Sequence, residues 1–229
     1  MPAYLQNLRR IIAQAALPAV IAGGCGAGPV PSAIDLCKGW VPVGQESGYV
    51  RCQTAVRRAA PVALEVSRDN LSWKRLDPAL AGRVEVSMWA LPARDANTNF
   101  TVRLAGTLPA SQQPADGQPG CEAASVATNE TDRWHVGTGD FVAPYTRKWT
   151  RVRLVVDTER NSYEVFLDER RVAGPMATWC DVRGGIAGVG LASGRAAQGH
   201  RSYVEDLAVT GEPAPLLPDA TPEQVPPPK

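Results

Sequence analysis

Carboxylates two residues apart on an extended strand project to one face, where one can act as nucleophile and the other as general acid. The run Glu164-Val165-Phe166-Leu167-Asp168-Glu169 comes nearest to this pattern. Glu164 and Asp168 would share a face, but Phe166 stands between them, and the run reads as the outward side of a surface hairpin. A Gly-x-Ser-x-Gly nucleophile elbow is absent. No residue is therefore assigned a catalytic role.

Cysteine, tryptophan and aspartate supply the remaining candidates. Of the five cysteines, Cys25 follows an apolar run near the N-terminus, which leaves the even set Cys37, Cys52, Cys121 and Cys180. An even remainder in an exported chain implies two disulfides. Three connectivities are open; the preferred one joins Cys37 to Cys52 across a short loop and Cys121 to Cys180 across a long one. No cysteine pair has C-x-x-C spacing and the histidines are only His135 and His200, which argues against zinc. An aromatic ring packs well on a pyranose face, so the six tryptophans are candidate sugar platforms. Trp73, Trp134 and Trp179 lie near loops, and Trp89 falls on the face opposite Val84, Val86 and Met88. Asp157, Asp168 and Asp206 are oxygen donors that could hold calcium, although an aspartate beside a turn more often accepts backbone hydrogen bonds.

The compartment follows from the N-terminus. Arg9-Arg10 precedes the run Ile11 to Ala22, about twelve residues against the roughly 20 a membrane-spanning helix requires. A basic segment, a short apolar core and small residues make a secretory signal over residues 1–24. Ala22-Gly23-Gly24-Cys25 resembles the bacterial lipobox, which implies lipidation of Cys25, with Ala22 where that motif has a larger aliphatic residue. The expectation is an exported bacterial envelope protein held to the membrane by a lipid anchor.

The elements that must position these residues are short strands. Val84, Val86, Met88 and Ala90 alternate with other side chains; so do Phe100, Val102 and Leu104, then Val152, Leu154 and Val156, then Tyr163, Val165 and Leu167. Period two is what a strand with one buried face requires. Asp157 to Ser162 is a compact polar turn that predicts a hairpin. Further strands are expected at Gly184 to Leu191 and Tyr203 to Val209, and a long loop with weak strand content from Thr107 to Thr131. The 21 glycines and 20 prolines suit many turns. The net charge of +1 predicts no nucleic-acid partner. Residues 25–48 read as a spacer, 49–211 as the domain, and 212–229 as a proline-rich disordered tail.

Trp149 opening Val152-Arg153-Leu154-Val155-Val156-Asp157, the hairpin to Tyr163-Glu164-Val165-Phe166-Leu167-Asp168, the glycine-rich strand, and the closing Tyr203-Val204-Glu205-Asp206-Leu207-Ala208-Val209 resemble the concanavalin A-like lectin/glucanase superfamily, including laminin-G-like bacterial domains. The resemblance spans Arg83 to Val209 and implies an all-β, two-sheet antiparallel jelly-roll sandwich. It implies fold more than function. Phe166 occupies the position of the middle carboxylate in the glucanase pattern. The reading that follows is a non-catalytic module binding a carbohydrate or another cell-surface polymer. A glycoside hydrolase or lyase of the glucanase type and a structural or adhesion lipoprotein with protein partners are the alternatives.

Overall fold

The computed structural model of the chain describes residues 35, 37–43, 49–67, 71–93, 100–109, 112, 114, 118–129, 132–137, 140–193 and 201–215. The secretory signal, Cys25 and the tail from 216 onward lie outside the described residues. Thirteen strands run in order: β1 (Trp40–Pro42), β2 (Tyr49–Gln53), β3 (Ala63–Ser67), β4 (Ser72–Leu91), β5 (Phe100–Gly106), β6 (Cys121–Asn129), β7 (Arg133–Val136), β8 (Asp140–Pro144), β9 (Thr150–Asp157), β10 (Ser162–Leu167), β11 (Arg170–Ala177), β12 (Ile186–Ser193) and β13 (Arg201–Pro213). No α-helix occurs among the described residues.

All pairings are antiparallel, and they form a two-layer jelly-roll sandwich. Sheet one has the order β1-β4-β12-β5-β6-β7-β8, and sheet two the order β11-β10-β9-β4-β13-β3-β2. The 20-residue β4 belongs to both. Its first part pairs with β1 and β12, and its second with β9 and β13. The crossover coincides with Pro78, which has no N–H to give to a ladder, and with Gly82 at φ 69°. There the β12 ladder skips from Arg75↔Gly188 to Leu80↔Ile186. The β9–β10 turn pins the bend, because Thr158 Oγ1 accepts the Gly82 N–H at 2.9 Å and Thr158 N–H donates to Gly82 O at 3.0 Å.

The predicted alternation holds in all four runs. Val84, Val86, Met88 and Ala90 from sheet two and Phe100, Val102 and Leu104 from sheet one are fully buried in one core with Leu154 and Val165. The favoured disulfides are both present, with Cα–Cα separations of 5.3 Å for Cys37–Cys52 and 6.4 Å for Cys121–Cys180. The first ties the segment before β1 in sheet one to β2 in sheet two.

Three boundaries differ from expectation. The supposed loop from Thr107 to Thr131 contains β6, nine residues of continuous strand. Its inward residues include Ala123, Ala124 and Val126, and alanines leave little amphipathic contrast to read. The supposed spacer contains β1. At the other end β13 runs to Pro213, and Ala214 N–H still bonds Ala79 O at 2.7 Å, so the domain extends past residue 211.

Candidate binding site

The structure sorts the four candidate tryptophans by accessibility. Trp73 has no exposed surface, and it lies across Gly190, where an added Cβ would stand 2.9 Å from its Cε3 and Cζ3 atoms. Trp134 is 1% exposed and packs edge-on against Tyr145 at 5.8 Å in the core. Both sit second in their strands, close to turns in sequence but buried in the fold. Neither can offer a ring face to a ligand, which corrects the expectation for them. Trp89 does lie on the outer face of sheet two. Its ring is covered, however, by the Arg58 guanidinium at 3.7 Å from the centroid, with that of Arg151 at 5.8 Å. The loop carrying Arg58 is itself fastened: the fully buried Glu205, cross-strand partner of Trp89, accepts the N–H groups of Arg58, Ala59 (3.0 Å) and Ala60 (3.1 Å). Burial pushes the Glu205 carboxyl up, but those three bonds and the Arg58 charge outweigh it and hold the group below the usual carboxylate range.

Trp179 remains, and it is 42% exposed. Its segment is fixed on every side. Thr178 donates to Asn161 O through both N–H (2.9 Å) and Oγ1 (3.2 Å), Trp179 N–H donates to Ala123 O (2.9 Å), and Val182 N–H donates to Asn161 Oδ1 (2.8 Å). The Cys121–Cys180 disulfide adds a covalent tie to β6. Asn161 makes these bonds from the β9–β10 turn with φ 49°, a left-handed conformation that asparagine tolerates. An exposed ring on so firmly held a backbone loses little freedom when a ligand stacks on it.

The ring lies at the corner where β7, β8 and β6 of sheet one meet β10 and β11 of sheet two. A Cβ on Gly137 would be 3.7 Å from Trp179 Cζ2 and 3.7 Å from Tyr163 Oη, so indole and phenol flank one spot. Tyr163 is 2% exposed, with its hydroxyl turned toward Gly137. Burial first, then the charges of Asp140 and Glu122, push its pKa up, so it stays a neutral phenol able to donate and accept. Glu122 is engaged by Arg103 at 2.7 Å, and Asp181 by Arg183, which holds the Asp181 carboxyl well below the usual range. On the outer face of sheet one, Phe141 is 51% exposed, with the Arg133 guanidinium 4.9 Å from its centroid and His135 edge-on at 6.5 Å. Tyr163, Asp140, Glu122 and Phe141 were not singled out from the sequence. Tyr163 reads there as one more core position, and nothing local marks the others.

The carboxylate candidates do not assemble. Glu164 pairs with Arg171 at 2.7 Å, and Phe166 lies under Arg153 at 3.9 Å. Asp157 Oδ1 accepts the N–H groups of Glu159 and Arg160, while Asp168, in the turn at the opposite end of the β9–β10 hairpin, accepts Arg151 N–H. Asp206 is an exposed residue of β13 with φ 51°. The three aspartates do not converge on a calcium site. Among the described residues no group of three or more His, Cys, Asp or Glu is placed to hold a metal ion. A cavity of about 410 Å³ opens at the β4 bend beside Arg75, Asp77, Pro78, Leu108 and Pro119, without an aromatic wall.

No family model matches the chain, and no curated protein matches it. Solved structures similar to it include a sialidase at 11% identity and TM-score 0.49, over 76% of this chain and 17% of that one. The chain thus spans well under two thirds of that protein's length. A carbohydrate-binding module from Bacillus subtilis is similar at 11% identity and TM-score 0.49, over 77% of this chain and 98% of that one. An alginate lyase of polysaccharide lyase family 7 is similar at 8% identity and TM-score 0.47, over 75% and 94%.

Proposed function

We propose that the protein is a non-catalytic glycan-binding module of the cell envelope, and that the Trp179 corner is its binding site. One observation carries the reading: an exposed indole sits on a backbone immobilised by four hydrogen bonds and a disulfide, beside the Tyr163 phenol. A pyranose offers an apolar C–H face to such a ring and hydroxyls to the polar groups around it. The Arg103–Glu122 and Arg183–Asp181 pairs hold planar donors and acceptors in place for those hydroxyls. The two disulfides support an oxidising compartment, and Cys25 is the residue proposed to carry the lipid.

The test is a broad glycan array probed with the wild type and with Trp179→Ala, which leaves the core intact. Saturable binding lost in Trp179→Ala supports the reading. Absence of binding across the array, or binding unchanged in the variant, refutes it. Cys25→Ser, followed by membrane fractionation, tests the anchor separately: an acylated Cys25 predicts loss of membrane association.

A further inference from the structure

We propose that the Trp179 corner takes a sugar carrying a free amino group, whose ammonium Asp140 holds beside the indole ring. The inference rests on the glycan-binding reading and narrows its ligand class.

The charges of the corner lead to it. Of its three carboxylates, Glu122 is neutralised by Arg103 and Asp181 by Arg183. Asp140 is exposed and forms no ion pair with a described residue. Its position is set by register: it pairs with Val136, an inward-facing core residue, at the start of the edge strand β8. Next to Val136 in sequence is Gly137, where a Cβ would stand 3.7 Å from both Trp179 Cζ2 and Tyr163 Oη. The corner therefore combines a carboxylate without an ion pair among the described residues, an exposed aromatic ring and a phenol hydroxyl.

An ammonium group satisfies all three. It is attracted to the carboxylate and to the electron-rich indole face, and it can donate to a phenol oxygen. A uronic or sialic acid meets the opposite situation, because its carboxylate would approach Asp140 while Arg103 and Arg183 are already paired and Arg133 lies over the Phe141 ring. The chain's net charge of +1 supplies no general attraction for cations, so the preference has to arise locally.

The experiment measures binding of length-matched oligomers by calorimetry: fully deacetylated glucosamine oligomers, their N-acetylated counterparts, and a uronate oligomer. Wild type is expected to bind the deacetylated series about five- to tenfold tighter than the acetylated one, as one partly exposed charge pair with a cation–π contact would give. Asp140→Asn should abolish that difference, Asp140→Glu should keep it, and Trp179→Ala should weaken both series. Equal or tighter binding of the acetylated or uronate oligomers overturns the amino-sugar assignment while leaving the glycan reading standing. So does a preference that survives Asp140→Asn, whereas deacetylated binding unchanged in Trp179→Ala removes the Trp179 corner as the glycan site as well. Failure against these oligomers and the whole array would instead remove the glycan reading itself.

Discussion

Glu205→Ala tests whether a single buried carboxylate holds the Arg58 loop over sheet two. The wild-type side chain is fully buried and accepts three successive backbone N–H groups, from Arg58, Ala59 and Ala60. A hydrogen bond to a charged group contributes about 1.5–3 kcal/mol, but three that act as a unit do not add. The loop can also lift away and rehydrate its donors, which limits the loss. The expected destabilisation is about 3–4 kcal/mol at pH 7, with roughly half of that for Glu205→Gln, which keeps one acceptor oxygen.

The pH dependence has a definite sign. The folded carboxyl sits below its unfolded value near 4.3, so as pH falls the unfolded chain takes the proton first. The carboxylate's contribution is complete above the ordinary glutamate range and is lost as pH falls through the folded value. Urea midpoints at pH 7, 5 and 3.5 should therefore show a gap between wild type and Glu205→Ala that is full at neutral pH and closes in acid. Tryptophan fluorescence should shift in the variant as Arg58 leaves Trp89. A variant as stable as wild type at pH 7, or a gap that widens in acid, would refute the clamp.

Other substitutions probe packing and covalent ties. Trp73→Ala and Trp134→Ala should each cost about 3–5 kcal/mol in urea unfolding, whereas Trp179→Ala should stay within about 0.5 kcal/mol. Gly190→Ala would place a methyl 2.9 Å from the Trp73 ring and 3.0 Å from Leu71 Cδ1, and should destabilise by about 1–3 kcal/mol. Replacing Cys121 and Cys180 by serine opens a loop with a sequence separation of 59, worth about 4 kcal/mol on the loop-entropy model. The same double variant should weaken glycan binding in proportion to the freedom it returns to Trp179, as read by the fluorescence anisotropy of a labelled oligomer.

The legible features were those that repeat over a few residues. Period-two alternation from Val84 to Ala90 and from Val152 to Val156 is a local consequence of the pleat, and each run became a buried strand face. The even cysteine count and the polar turn after Asp157 were legible for the same reason. Strand β6 was not, because its alanines give inward and outward positions nearly equal hydrophobicity. The bend in β4 also escaped notice, since Pro78 and Gly82 interrupt the run from Ser72 to Leu91 without ending the strand.

The candidate site depended on contacts between distant segments. Trp73, Trp134 and Trp179 look alike along the chain, each beside a polar or turn-forming stretch. Packing on Gly190 buried the first, the edge contact with Tyr145 buried the second, and the Asn161 turn with the Cys121–Cys180 bridge left the third outside. Arg103, Glu122, Asp140, Tyr163 and Trp179 come from five segments spread over some seventy-five residues of chain. Each owes its place to cross-strand register or a covalent tie, and a register is a relation between strands. No property of one strand contains it, so the alternation that revealed the sandwich could not show which residues meet at its corner.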